Sequence, residues 1–317
     1  MTDIRKLSLT LSILIVTLML VITTLVMVLV SGTQGVVTNL DIHYTPPGGG
    51  IDFLISGECI NANDFKSLSL DYSQPVREED IPVPGILNKT FLGWYKDSNL
   101  NQKVTFPTTL AEGDQLYPAY KDAWTDLLFE YDTTTQSYAV TGSNDELLGL
   151  VAIPDYYSGS NGVAKVTIMR SGALKKSYGS EETAIVLSNN LTTIESEGVT
   201  NCTIASWGTN ISSITANSFE NCQFRCNIVF SNNITTIPTK AFGSCVFNGN
   251  ITISSSITNI QVDAFDCPTI NGGVIFEVTT GWKMSLAGTE MDADVSDPAT
   301  NAYNIYRNFD TCSYTRS

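Results

Sequence analysis

The sequence predicts a mainly β chain made of an N-terminal transmembrane helix, a small β domain and a solenoid of short parallel strands. Three observations carry this. An uncharged apolar run of 22 residues lies near the start, short alternating runs separated by Gly, Pro and Asn fill 39–122, and one pattern returns at 191, 211, 234 and 257 with spacings of 20, 23 and 23 residues. The expected organisation is a cytoplasmic tail 1–8, an anchor 9–31, a linker 32–38, a β domain 39–122, a solenoid cap with first irregular repeats 123–182, regular repeats 183–285 and a C-terminal cap or tail 286–317.

The first element is an address. As a helix, residues 9–30 would span roughly 33 Å, enough for a bilayer core of about 30 Å. Arg5 and Lys6 precede the run and no basic residue closely follows it, which puts the N-terminus inside and the bulk of the chain outside. A cleaved signal peptide with a small-residue site around Val30, Ser31 and Gly32, giving a secreted product, is the rival. The apolar run is longer than the usual signal core, so an uncleaved single-pass anchor is favoured. Composition agrees: the net charge is -15 with only 15% charged residues. A surface so poor in Lys and Arg argues against nucleic acid and anionic lipid as partners.

Within 39–122, runs beginning at Ile51, Ser67, Thr90 and Leu116 alternate as strands do, between turn-forming residues. The second half carries Gly85, Phe91, Gly93, Trp94, Tyr95, Asp97, Leu110, Gly113 and the run Leu116, Tyr117, Pro118, Ala119, Tyr120. On these residues it resembles the internalin-type B-repeat family, with Tyr120 standing where that family usually has Trp. The resemblance implies a β-grasp-like module of extracellular surface proteins, a spacer or interaction unit. Trp94 and Tyr95 would suit a carbohydrate platform, but aromatics in a small β module more often form its core.

The repeats show three apolar columns. The first pairs Leu191 with Ile194, Ile211 with Ile214, Ile234 with Ile237 and Ile257 with Ile260; the second is Val199, Phe219, Phe242 and Phe265; the third is Cys202, Cys222, Cys245 and Cys267. A period this short marks a solenoid, since one unit cannot bury its apolar side alone. The expected repeat core is therefore Ile194, Val199, Cys202, Ile214, Phe219, Cys222, Ile237, Phe242, Cys245, Ile260, Phe265 and Cys267. Between units, β-branched runs at 185–187, 228–230, 251–253 and 274–276 read as strands. Alternation then turns Ile185, Leu187, Ile228, Phe230, Ile251, Ile253, Val274 and Phe276 inward, and Val186, Val229, Thr252 and Ile275 outward. In the 20-residue unit the frame slips, and either Ile204 or Ala205 points in.

This pattern resembles the BspA-type branch of the leucine-rich-repeat family, whose unit runs strand, I-x-x-I, small residue with Phe, then Cys. The resemblance implies a right-handed solenoid with a short-strand sheet on one side. The stretch from Leu127 and the tail from Ser296 are similar to the opening and closing segments of such proteins.

No catalytic set stands out, and neither cofactor nor metal is expected. The only histidine, His43, lies near the anchor without partners for nucleophilic catalysis. The once-per-repeat cysteines read as small buried residues, although stacked neighbours lie within disulfide reach; Cys226 is off the column, Cys59 and Cys312 are outside the repeats, and seven is an odd number. Asp292, Asp294 and Asp297 begin like a calcium loop but lack its glycine and closing Glu. Glu78, Glu79 and Asp80 read as a charged loop. Six sequons, at Asn88, Asn190, Asn201, Asn210, Asn233 and Asn250, are explained first by turn chemistry.

Binding remains. The outward row Val186, Val229, Thr252 and Ile275, flanked by Glu277, is unusually apolar and is the expected ligand-contact surface, unless a loop or the C-terminal tail covers it. The function expected is that of a membrane-anchored extracellular adhesin-like protein, not an enzyme, presenting its repeats to a protein or glycan ligand. A structural or self-associating envelope protein is the alternative, and a surface glycan hydrolase a weaker third.

Overall fold

A computed structural model describes residues 42–44, 51–55, 58–71, 73–111, 113–177, 182–307 and 312–316. The expected anchor at 9–31 lies outside them, and among the described residues no helix is long and apolar enough to cross a membrane.

The first module is a mixed four-stranded sheet in the order Ile42–Tyr44, Asp52–Ile55, Gln115–Asp122, Lys89–Tyr95. The outer pairs are antiparallel and the central pair is parallel. A parallel neighbour demands a crossover, and that crossover holds the short helix Ala62–Lys66 and a 3-10 turn at Glu78–Asp80. Phe53, Phe65, Phe91, Trp94 and Leu116 are buried together as its core, so Trp94 is packing and not a platform.

The repeats wind as a solenoid, because each apolar column stacks on itself. Leu174, Val199, Phe219 and Phe242 are in register along one parallel sheet, and Phe265 stacks on Phe242 beyond its end. A second column runs through Val151, Ile185, Ile204, Phe224, Phe247 and Ile270 on another face. Ile204 is therefore the inward residue of the short unit, and Ala205 is half-buried. All twelve residues expected in the repeat core are buried in one cluster that continues from Leu127 to Tyr314. Between columns the chain turns at left-handed residues that recur with the repeat, Glu197, Asn217, Lys240 and Asp263, and again at Asn201, Asn221 and Ser244. Asn tolerates that conformation best, which gives Asn201 a structural reason independent of glycans.

The 20- and 23-residue coils differ at one corner. In the short coil Thr203–Ser206 runs straight on to Trp207, whereas the next coil breaks into Gln223–Phe224 and Ile228–Val229, which belong to different sheets. Only the longer coils build the three-stranded sheet Ile228–Val229, Ile251–Ile253, Val274–Phe276. Corner residues stack so closely that a Cβ at Gly249 would collide with the Cys226 carbonyl, and one at Gly272 with that of Gly249. Asn227 accepts from the N–H of Asn250 at 2.9 Å, and Asn250 from that of Gly273 at 2.9 Å, so an asparagine ladder lines the same corner.

This geometry corrects one expected residue. Val186 is buried, only 2% exposed, as are Ile185 and Leu187 beside it. Its strand, Thr183–Val186, pairs with Gly149–Ala152 and Thr203–Ser206, not with the three-stranded sheet, and carries a register shift between Ile185 and Val186. Strict alternation from the longer coils therefore does not transfer to it. The carbonyl of Ala152, the partner of Val186, accepts from the N–H of Trp124, so the chain leaving the first module runs past this point.

Behind the last coil, Cys312–Arg316 pairs antiparallel with Asn259–Ile260, and Trp282–Leu286 and Thr289–Asp292 extend that sheet. The helix Pro298–Arg307 closes the end, with the Asn301 side-chain amide donating to the carbonyls of Val274 at 3.0 Å and Val295 at 2.9 Å.

Candidate binding surface

Three members of the expected row remain on the outside of the three-stranded sheet. Val229, Thr252 and Ile275 are in register on successive strands; the first two are half-buried and Ile275 is 38% exposed. What limits their exposure is partly the first module. Arg77, at the head of the Glu78–Asp80 turn, bonds Glu79 at 3.0 Å and reaches Glu277 at 2.9 Å, while Glu277 also accepts from the Ser255 N–H at 3.0 Å. The N–H of Asn232 points at Glu79 from 3.5 Å. The acidic run that reads as a solvated loop is thus turned onto the repeat sheet. Between them lies a cleft lined by Arg77, Glu78, Glu79, Phe106, Pro107, Thr209 and Val229. Sequence alone singles out none of Arg77, Phe106, Pro107 or Thr209, because their convergence spans more than a hundred residues of chain.

A buried junction holds the module to the start of the solenoid. Asp155 is fully buried; its carboxylate accepts from the Phe91 N–H and from the Ser188 hydroxyl at 2.6 Å, and its own N–H donates to Lys89. Burial pushes its carboxyl up to about 7, with the Ser188 and Phe91 donors holding it from going higher. Thr90 donates to the Ile153 carbonyl at 2.7 Å, and Gly85 sits so close to the Tyr156 ring that a Cβ would strike it.

Nothing in the cysteine column is arranged for reaction. All seven thiols are free, and burial raises those of Cys202 and Cys267 to about 12. Cys226, half-buried at the corner, is likewise pushed up to about 12 by burial. Thiols in that state make poor nucleophiles and poor ligands. Among the described residues no group of three His, Cys, Asp or Glu is placed to hold a metal ion. Several sequon asparagines have structural partners: Asn190 donates to the Asp155 carbonyl at 3.1 Å, Asn210 to that of Asn189 at 2.7 Å, and Asn88 adopts a left-handed turn.

Regular coils, a continuous interior and short parallel strands on each side define a β-solenoid. Residues 167–272, about a third of the chain, match the BspA type leucine-rich-repeat region in six copies. The match begins ahead of the expected 183 and ends before 285. No curated protein and no solved structure matches the chain.

Proposed function

We propose that the chain is a surface-presented binding protein in which the repeat solenoid, joined to the first module, offers a rigid face to an extracellular protein or glycan, with residues 9–31 as its membrane anchor. The observation that supports this is the register of Val229, Thr252 and Ile275, outward side chains at fixed spacing above a continuous apolar interior. The first module acts in this reading as a B-repeat-like, β-grasp-like unit that both spaces the solenoid and borders its face. Leucine-rich-repeat solenoids are typically non-enzymatic, and the non-catalytic reading rests on that family habit.

The test uses the full chain expressed on intact cells. Protease added outside should remove the repeats while leaving a membrane-bound stub, and the displayed chain should retain ligands from matrix or host-surface extract. Retention should fall when Thr252→Glu and Ile275→Glu are introduced together. Absence of any retained ligand, with oligomers that grow with concentration in light scattering, would favour the self-associating envelope component instead.

A further inference from the structure

The cleft between the first module and the repeat sheet has a chemistry of its own, and an inference drawn from it rests on the binding reading above. Its volume is about 90 Å³, well under the roughly 300–1,000 Å³ of sites that enclose whole small molecules. It is the size of one side-chain head. Its apolar lining comes from Phe106 and Pro107 of the module and Val229 of the repeat sheet. Arg77, Glu78, Glu79 and Thr209 complete the lining.

The charges do not balance. Arg77 is paired with both Glu79 and Glu277, so its positive charge is already countered. The Glu78 carboxylate accepts no hydrogen bond among the described residues. Lys103 acts on it through its charge, but forms no ion pair with it, and its ammonium donates to the Leu92 carbonyl at 2.7 Å. Burial raises the Glu78 carboxyl, and the Lys103 charge offsets only part of that. The whole chain, at -15, adds a field that draws cations and repels anions.

We propose that this cleft receives a single lysine or arginine side chain from a protein partner, with its cationic head on Glu78 and its methylenes along Phe106, Pro107 and Val229. Long basic side chains suit such a site because stem and head want different surroundings, and the Phe106 ring offers a further attraction to the head. Seating would also close the gap between module and repeats, so the partner would touch both at once. An arginine anchored this way is the kind of residue on which interface affinity concentrates.

The probe is ethylguanidinium, titrated into the full chain in phospholipid nanodiscs with methyl-labelled Thr and Val. Saturable shifts of the Thr209 and Val229 methyls are expected. Glu78→Gln should weaken binding about ten-fold or more, since a charge-assisted bond is lost, and Val229→Phe, which fills the cleft from the repeat side, should abolish it. Glu290→Gln, on the distant closing sheet, should leave affinity unchanged. No saturable shift, or equal affinity in Glu78→Gln, overturns the proposal. A response to methyl glucoside in place of ethylguanidinium overturns it too, in favour of a sugar subsite. A chain that retains its extracellular ligand but ignores ethylguanidinium defeats this inference alone; one that retains no ligand defeats the binding reading.

Discussion

Phe219, Phe242 and Phe265 stack with interplanar angles of 4° and 7°, and Phe224 lies on Phe247 at 12°, whereas Phe53, Phe65 and Phe91 of the first module meet Trp94 at 60° to 72°. Left to themselves, aromatic pairs favour offset or edge-on contact. The module, with no internal repeat, settles into edge-on contacts. In the solenoid each coil is a near copy of the last moved along one axis, and translation cannot rotate a ring, so neighbours in a column come out parallel. Edge-on contact survives between different columns, within a coil as for Phe219 and Phe224 at 67° and between coils as for Phe224 and Phe242 at 71°. A repeated core therefore couples residues along a line, while an irregular one couples them around a centre.

The largest expected effect tests that contrast. Phe242→Ala removes a ring with stacked neighbours on both sides, and coils held apart by strand spacing cannot collapse into the gap. A loss of about 3–5 kcal/mol is expected, measured by urea unfolding. Trp94→Ala should lose a similar amount, but the coupling should differ. A double-mutant cycle of Phe219→Leu with Phe242→Leu should show interaction along the column, and one of Phe219→Leu with Trp94→Leu should show none within error. Coupling of equal size in both cycles would erase the distinction.

Next comes the junction between the two regions. The unfolded Asp155 carboxyl ionises near the ordinary 3.9, about 3 units below its folded value of about 7. Between those values the unfolded state binds fewer protons, so stability is fullest below about pH 4, falls as pH rises toward 7 and then levels. The loss is at most about 4 kcal/mol. Asp155→Asn should flatten this slope, as read from thermal melts at pH 5 and pH 8 in the same salt. An unchanged slope would show that the carboxyl does not bind its proton in the folded chain.

The smallest effect sharpens the translation argument. Gly272→Ala sets a methyl against the Gly249 carbonyl of the preceding coil, and backbone cannot move aside as a side chain would. About 1–3 kcal/mol should be lost, while Gly243→Ala, where the nearest atom lies 3.8 Å away, should cost far less in the same melt.

How much of this was legible before the structure follows the same division. The Phe and Cys columns could be read because identical residues return at one spacing, and burial of Phe219, Phe242 and Phe265 follows from repetition alone. The outward reading of Val186 fails because its strand carries a register shift and pairs outside the three-stranded sheet, and local alternation carries no memory of either. Arg77 meeting Glu277, or Phe91 meeting Asp155, was not legible at all. Such contacts depend on how two separately built cores sit side by side, and no period connects them.

The strand 312–316 runs against the direction of every coil it follows, laying Tyr314 beside Ile260. A coil cannot be added beyond an antiparallel stop without breaking it. Growth or shrinkage of this rod by duplication or loss of whole 23-residue turns must therefore occur in the middle, where each new turn finds the same Phe, Asn and Gly above and below. Reach would change in fixed steps while both ends stayed as they are.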